Sequence, residues 1–295
     1  MSARRRLSLA LLLSAAVAAF EFWGGAVARS LALTTDAVHV CVDVLALAIA
    51  LLASIGATRR ANRRKTFGYG RLEVLGALLN CAILLAATGV IAYAAIQRFH
   101  APLEPHGFVM TAVAAIGLTV NTAIGLTLMG HHRHHDHNVR AVLAHVAGDA
   151  LGALAVIVGG IAIAYTGAAW IDPLLSLFVA AIIVVGVAGV LRDASDVLLE
   201  GAPAGVDAVD VELRIRAIDG VVGVHDLHVW TIASGSHALS AHLLLEEGRV
   251  MQGPQILRAL QTAMRERYGI GHITIQLESE HCDPGGIIIC PSDEA

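Results

Sequence analysis

The chain has 295 residues, of which 56% belong to the hydrophobic set and only 15% are charged, with a formal net charge of −4. Soluble domains carry about 25% charged residues, so this composition excludes an ordinary soluble protein for much of the chain. Residues 1–192 hold 14 basic and 8 acidic residues, a net of +6, whereas residues 193–295 hold 6 basic and 16 acidic residues, a net of −10. This asymmetry predicts a membrane domain followed by a small acidic soluble domain.

Six apolar stretches are long enough to cross the ~30 Å hydrocarbon layer of a bilayer as helices. In chain order they are roughly Leu7–Ala28, Leu33–Ile55, Leu72–Ile96, Phe108–Met129, Val139–Tyr165 and Ile171–Leu191. The start of the chain, Arg4–Arg6 followed by the first of these, also has features of a cleaved signal peptide. Because its apolar run continues to Val27 and more spans follow, we predict a first transmembrane helix instead.

The basic residues between the spans predict how the chain is oriented. The odd-numbered connections contain only Arg29 and Arg98, whereas the N-terminus, the even-numbered connections and the end of the last span hold the other 12 basic residues of this region. Positive charge accumulates on the cytoplasmic side of membrane proteins. We therefore expect a multi-pass protein of the cytoplasmic (inner) membrane with both termini in the cytoplasm.

The sequence pattern changes after Gly201-Ala202-Pro203, where apolar residues begin to alternate with polar ones. We predict the order αββαβ, typical of a small α+β domain of ferredoxin-like kind. The elements are a helix over Asp207–Ile218, strands over Val221–Ile232 and Ala238–Glu246, a helix over Pro254–Tyr268 and a strand over His272–Glu278. The predicted organisation is a six-helix α-helical membrane domain over residues 1–192, a linker over 193–205 and a cytoplasmic domain over 206–295.

Two predicted spans contain ionisable residues one helical turn apart: His39 and Asp43 in the second span, His145 and Asp149 in the fifth. A charged side chain at membrane depth costs at least ~2.5–3.5 kcal/mol, which indicates a functional role. Members of an i, i+4 pair lie on one face of a helix. Two such faces together supply two imidazole nitrogens and two carboxylates, a four-coordinate shell suited to Zn²⁺. The alternative is that each pair is a hydrogen-bonded latch between helices.

Other polar residues in the spans leave more than one interpretation open. Asp36, one turn before His39, is a candidate for orienting that histidine, for relaying protons or for shaping the pathway. For Glu21, Asn80 and Asn121 we expect hydrogen bonds between helices rather than metal ligation.

Several segments together resemble the cation diffusion facilitator family of zinc transporters, over nearly the whole chain. The matching segments are Ser30–His39 with Asp43, Arg64–Asn80, Asp172–Leu177, Leu198–Pro203, Val224–Trp230 and Thr274–Glu278. The resemblance implies a homodimer of six-helix protomers that exchanges Zn²⁺ for H⁺ by alternating access. It also implies that His39, Asp43, His145 and Asp149 form the transport site, in the pattern of zinc-transporting members.

In the soluble domain the resemblance implies a regulatory zinc site at His225, His242 and Glu278. Gln276 stands where some relatives have a further histidine, which favours one zinc per protomer over a two-zinc cluster. His281 and Cys282 remain candidates for further ligands. The histidine-rich segment His131–His137 is either a loose metal-collecting loop or a solvated linker with dispensable histidines.

The predicted function is a proton-coupled Zn²⁺ efflux transporter rather than an enzyme, with Zn²⁺, protons, the bilayer and a second copy as partners and no nucleic acid. Alternatives are a membrane metal sensor without transport, or a transporter whose main substrate is Cd²⁺ or Co²⁺. An intramembrane metal-dependent hydrolase needs an open water position and usually a separate general base. The chain offers four ligands and has no His-Glu-x-x-His motif, which disfavours that class.

Overall fold

The computed structural model describes residues 3–129 and 136–279, with side chains described for residues 12–123 and 147–279. Six long helices come first. They are α1 (Ala3–Ala28), α2 (Leu31–Ala57), α3 (Leu72–His100), α4 (Gly107–Met129), α5 (Asp136–Thr166) and α6 (Ile171–Leu198). Each coincides with one predicted span.

Where side chains are described, four helices are long and apolar enough to cross a membrane: Leu31–Ala57, Leu72–His100, Ala147–Thr166 and Ile171–Leu198. Shorter apolar stretches, Leu12–Ala28 and Gly107–Ala123, lie in α1 and α4. Large apolar side chains are exposed on the bundle, among them Leu52 (70% exposed), Val90 (69%) and Phe108 (70%). Water would disfavour such a surface and lipid would not, so the protein is a multi-pass α-helical membrane protein.

The interior of the bundle is built from small and branched side chains, including Ala28, Ala32, Leu33, Val156 and Ile183. Close approach of α4 and α5 depends on glycine. A Cβ built on Gly160 would stand 2.5 Å from Oγ1 of Thr111, and the same hydroxyl donates to the Gly107 carbonyl at 2.9 Å. Small residues at helix contacts let backbones approach, as is common in membrane bundles.

The C-terminal part consists of helix α7 (Ala208–Arg216), strands β1 (Val221–Ala233) and β2 (Ser236–Leu245), a 3₁₀ turn (Val250–Gln252), helix α8 (Gly253–Tyr268) and strand β3 (Ile270–Glu278). The sheet order is β1-β2-β3. β1 pairs antiparallel with β2, and β2 pairs parallel with β3 across the α8 connection. The predicted αββαβ order of a small α+β domain is confirmed.

Local sequence signals explain the ends of these elements. Asp207 caps α7 through its side chain, which accepts from the Val209 amide at 2.9 Å. Pro254 stands in the first turn of α8, and Gly269 ends that helix in the left-handed conformation (φ 68°), which glycine adopts without steric cost. Leu239, Leu243, Leu260, Met264 and Ile270 are fully buried between the sheet and the two helices.

The chain divides into two compact units. One comprises residues 1–52 and 76–191, and the other comprises residues 53–75 and 192–295. The second unit thus includes the connection between α2 and α3 as well as the C-terminal domain. The boundaries predicted from sequence, residues 193–205 as a linker above all, remain a prediction.

Candidate metal centres

The first candidate metal centre lies inside the helix bundle, where α2 meets α5. Nε2 of His39 is 3.1 Å from Oδ1 of Asp149 and 3.7 Å from Oδ2 of Asp43. One ligand atom from each of the three residues lies within 4.8 Å of the other two. Helix α2 places His39 and Asp43 on one face because they are one turn apart, and α5 supplies Asp149 from the opposite side.

These separations suit a small divalent cation. Zn²⁺ bonds of 2.0–2.2 Å in a tetrahedron place ligand atoms about 3.4 Å apart, and the observed 3.1 and 3.7 Å lie on either side of that value. Two aspartates also neutralise a dication, which lowers the cost of holding it away from water. The three side chains are 12–29% exposed.

His145, the fourth predicted ligand, lies on α5 one turn before Asp149. Its side chain falls outside the described residues, so the structure brings together three of the four predicted ligands and the fourth remains a prediction. The loop His131–His137 and the tail residues His281 and Cys282 also fall outside the described side chains.

A cavity of about 450 Å³ adjoins this centre and is lined by the three candidate ligands, Asp36 and Asn80. Asp36 is only 6% exposed and also lines a smaller pocket beside His39 and Asp149. Its position is compatible with any of the three roles considered for it.

Glu21 and Asn80 differ from the expected hydrogen bonding between helices. Both carboxylate oxygens of the fully buried Glu21 lack a hydrogen-bond partner among the described residues, and so does Oδ1 of Asn80. Glu21 of α1 lies against Gly117 of α4, where a Cβ would overlap Oε1.

Asp172, at the start of α6, holds the N-terminal end of α2. Its carboxylate accepts from Oγ of Ser30 (2.6 Å), the amide of Leu31 (2.7 Å) and the amide of Ala32 (3.2 Å). First-turn amides have no partner within their own helix, so a side chain from another helix here acts as the N-cap.

Arg98 of α3 completes this contact. Nη1 of Arg98 donates to Oδ2 of Asp172 (3.1 Å) and to the carbonyl of Arg29 (2.6 Å). The sequence placed Asp172 only in a matching motif, and this role was not predicted from it. A signal existed, since Arg29 and Arg98 are the only basic residues of the odd-numbered connections. The ligand-bearing face of α2 therefore begins about 12 Å along the helix from a fixed end.

The second candidate centre lies on the C-terminal sheet. His225 of β1 pairs directly with His242 of β2, and Glu278 ends β3 beside Leu244. Nε2 of His225 is 3.0 Å from Oε2 of Glu278, and Nδ1 of His242 is 2.9 Å from Oε1. The ligand atoms of these three residues lie within 4.8 Å of one another. Two imidazole nitrogens and a nearly buried carboxylate suit Zn²⁺ with a fourth position open.

Asp226 is a residue of this centre that was not predicted from the sequence. It interrupts the β1–β2 register between His225 and His228 with a left-handed φ of 52°. Its Oδ2 lies 3.6 Å from Nε2 of His242, the ring nitrogen that faces away from Glu278, and Oδ1 lies 2.9 Å from Nε2 of His228. At 3.6 Å the contact between Asp226 and His242 is electrostatic rather than a hydrogen bond.

Gln276 is placed beside the ligands as a donor. Its Nε2 donates to Oε1 of Glu278 at 2.8 Å, so it orients the carboxylate. The side chain of His228, which pairs with Asp226 and is not one of the three candidate ligands, is 61% exposed.

The fold and the first centre define a class: a polytopic membrane protein with a cluster of ionisable, candidate metal-ligand side chains in its helix bundle and a C-terminal α+β domain. Comparison with known families agrees. The family model of the cation efflux transmembrane domain matches residues 7–199, and that of the cation efflux protein cytoplasmic domain matches residues 203–280. The chain belongs to the cation efflux family, the cation diffusion facilitators indicated by its motifs.

Curated relatives match over most of their length. The cadmium, cobalt and zinc/H(+)-K(+) antiporter of Bacillus subtilis (strain 168) is 36% identical over 272 residues, 92% of this chain and 87% of the relative. The zinc transporter ZitB of Escherichia coli (strain K12) is 35% identical over 280 residues, 94% of this chain and 88% of the relative. A solved structure, the metal-bound C-terminal domain of the CzcD transporter from Cuprividus metallidurans, is 36% identical and covers 25% of this chain and 99% of that one, with a TM-score of 0.23.

Proposed function

We propose that the chain exports Zn²⁺, or a divalent cation of similar chemistry, from the cytoplasm in exchange for protons. The observation that carries the proposal is the cluster of His39, Asp43 and Asp149 inside the apolar bundle. Relatives named as zinc transporters and as a cadmium, cobalt and zinc/H(+)-K(+) antiporter support this metal class. An imidazole ligand favours Zn²⁺, Cd²⁺ or Co²⁺ over Mg²⁺ and Ca²⁺, which prefer oxygen ligands.

Proton exchange follows from competition for the same space. Nε2 of His39 lies between carboxylate oxygens of Asp43 and Asp149, an arrangement that also suits a protonated imidazole. Metal binding requires the neutral ring and both ionised carboxylates. A proton on His39 and a Zn²⁺ among the three side chains are therefore alternative occupants, and each displaces the other.

Transport requires that the site open to one side of the membrane at a time. Facing the cytoplasm, the site binds Zn²⁺ and releases protons; facing outside, protons displace the metal and return with the empty site. His145 joins as the fourth ligand in this scheme, which closes a tetrahedral shell around the ion. The excess of basic residues in the even-numbered connections supports cytoplasmic termini and an inner-membrane location.

The test is the flux of radioactive Zn²⁺ into proteoliposomes under an imposed pH gradient. Asp43→Asn and Asp149→Asn should each abolish gradient-driven flux. Asp193→Asn, which removes an exposed carboxylate outside the cluster, is the matched control and should retain it. Flux that survives both site variants, or that neither responds to a proton gradient nor dissipates one, contradicts the proposal. Zn²⁺ binding without any flux in the wild type indicates a sensor instead.

We also propose that the C-terminal domain holds a regulatory Zn²⁺ site and forms a contact between the two protomers of a dimer. Its donor set of His225, His242 and Glu278 suits one Zn²⁺ per protomer, and the Asp226 carboxylate lies 3.6 Å from the ring nitrogen of His242 that faces away from Glu278. In a homodimer, the acidic residues of this domain repel those of the same domain in the second protomer, and bound Zn²⁺ reduces that repulsion locally. A distance probe placed on the domain should therefore report a shorter separation between two protomers in Zn²⁺. An equal distance between the two domains with and without Zn²⁺ contradicts this regulatory role.

A further inference from the structure

The connection between α2 and α3 is strongly basic and lies at the surface of the membrane. Both helices are long and apolar enough to cross a bilayer, so the segment joining them lies at the level of the lipid headgroups. Residues 58–71 contain six basic residues and no acidic one: Arg59, Arg60, Arg63, Arg64, Lys65 and Arg71. Every residue from Arg59 to Phe67 is exposed.

This connection has a defined conformation held by Asn62. Oδ1 of Asn62 accepts from the amides of Arg64 and Lys65, both at 2.9 Å. Its Nδ2 donates to the Tyr69 hydroxyl at 2.8 Å. The Gly68 amide donates to the Lys65 carbonyl at 3.0 Å. The basic side chains are thus presented from an ordered turn, which lowers the entropy lost when they bind an anion.

A groove of about 370 Å³ beside this turn combines positive charge with apolar surface. Its lining includes Arg64, Lys65, Arg71, Leu72, Leu75 and Trp230. Leu75, on the first turns of α3, is 51% exposed. Trp and Tyr are enriched where one end of a ring is apolar and the other is wet, as at a bilayer surface. An inorganic anion would use only the basic half of the groove, whereas an amphiphile uses both halves.

The charge of the groove is only partly compensated by the protein. Arg71 pairs with Glu200 at 3.3 Å. Arg64 and Lys65 form no ion pair with any residue in the described parts of the chain. Anionic lipids of the cytoplasmic leaflet attract basic residues near the surface, and each such residue raises the affinity about fivefold.

We propose that this groove, defined by Arg64, Lys65, Arg71, Leu72, Leu75 and Trp230, binds an anionic phospholipid of the adjacent leaflet. The phosphate contacts Arg64 and Lys65, and an acyl chain runs along Leu72 and Leu75 of α3. This binding concerns the bilayer around the protein, so it holds whether or not the transported ion is Zn²⁺.

The test uses the fluorescence of Trp230 in full-length protein reconstituted in vesicles. Trp23 of α1 and Trp170, in the turn before α6, are 60% and 56% exposed. Both are replaced by Phe, so that Trp230 is the only tryptophan left of the three. Vesicles contain phosphatidylcholine with a small fraction of brominated phosphatidylglycerol or, in parallel, of brominated phosphatidylcholine. Bromine quenches tryptophan at contact, so stronger quenching by the brominated phosphatidylglycerol is the expected result.

The site is then challenged by matched double variants. Arg64→Gln with Lys65→Gln should lower the preference for phosphatidylglycerol on the order of tenfold or more, since two basic residues are lost. Arg258→Gln with Arg265→Gln removes two exposed basic residues of α8 and should leave the preference unchanged. Circular dichroism confirms that each variant is folded. If the first double variant does not fold, loss of the wild-type preference at high salt is the corresponding readout.

Three results overturn the proposal. Equal quenching by the two brominated lipids in the wild-type background means that the groove does not select the headgroup charge. Loss of the preference on adding inorganic phosphate at the lipid's concentration means that the groove binds a free anion. Quenching that rises as the protein is diluted in lipid, at a constant brominated fraction, means that a second copy of the chain occupies the groove.

Discussion

Replacing Asp172 by asparagine should separate two roles of its carboxylate, capping α2 and pairing with Arg98. An asparagine side chain would keep one oxygen acceptor and replace the other by an NH₂ group. That group would face either the Ser30 hydroxyl and the Ala32 amide, which donate to Oδ1, or the Leu31 amide and Arg98, which donate to Oδ2. The substitution also leaves the Arg98 guanidinium, 22% exposed, without its carboxylate. Both effects lower the free energy of unfolding.

The size of the effect follows from burial. Asp172 is 1% exposed, and removing one partner of a buried ion pair costs about 3–5 kcal/mol because the other charge is left uncompensated. Arg98→Gln should cost less, since the cap to Ser30, Leu31 and Ala32 stays in place and Arg98 is partly exposed. The double variant should be more stable than the sum of the single effects predicts, by at least about 1 kcal/mol, because no unpaired charge remains.

The assay is reversible unfolding of the purified protein in mixed micelles titrated with SDS, followed by helical circular dichroism. Asp193→Asn, an exposed Asp-to-Asn change, is the control and should change the free energy of unfolding by no more than about 0.5 kcal/mol. If Asp172→Asn stays within about 1 kcal/mol of the wild type, the capping contact is not structural. If Arg98→Gln costs as much as Asp172→Asn, the ion pair and not the cap fixes this end of α2.

Three further predictions concern other buried contacts. Gly117→Ala should destabilise the bundle by about 1–3 kcal/mol, because the added methyl group overlaps Glu21. SDS titration should show a smaller effect of the same substitution in a Glu21→Ala background. Equal effects in both backgrounds contradict a contact between Gly117 and Glu21. Glu278→Gln should weaken Zn²⁺ binding by the C-terminal domain at least tenfold, since loss of even an indirect ligand contact has an effect of that size. The affinity is measured by calorimetry on full-length protein that also carries Asp43→Asn in the bundle. An unchanged affinity would show that Glu278 is not a ligand. Burial lowers the pKa of His237, so the unfolded chain binds more protons at this position than the folded protein does. The free energy of unfolding therefore decreases as pH falls below about 6.5. Thermal unfolding of His237→Asn should show less acid destabilisation than the wild type, and parallel pH profiles of the two proteins would contradict this role of His237.

Local sequence patterns predicted most of the fold. Hydropathy over about 20 residues identifies a membrane-crossing helix without any knowledge of its neighbours. Alternation predicts the β-strands, as in His272–Glu278, and the proline predicts the start of the helix Pro254–Tyr268. The candidate ligands His39 and Asp43 were found because i, i+4 spacing defines a helix face whatever surrounds it.

The contacts that were not predicted depend on distant parts of the chain. Asp172 caps a helix 141 residues away, and no periodicity encodes which helix end a carboxylate will reach. Asp226 itself has a left-handed backbone conformation inside strand β1, which is rare for residues other than glycine. Glu21 was expected to hydrogen-bond because buried polar groups usually do. The structure instead leaves its oxygens without a partner in the described region, since the facing residue on α4 is Gly117.

The position of the cap bears on how the proposed antiport can work. A carrier must move its ligands relative to one another, and the three-residue centre joins α2 to α5 through His39 and Asp149. Asp172 and Arg98 hold the end of α2 that precedes His39, so this end is the costly one to move. Opening of the site is then expected mainly by displacement of the opposite end of α2, toward Ala57, and by α5. Loosening the cap with Asp172→Asn should consequently let α2 shift at both ends, raising proton leak relative to Zn²⁺ flux in proteoliposomes, whereas an unchanged ratio of leak to flux would show that the capped end does not act as a pivot.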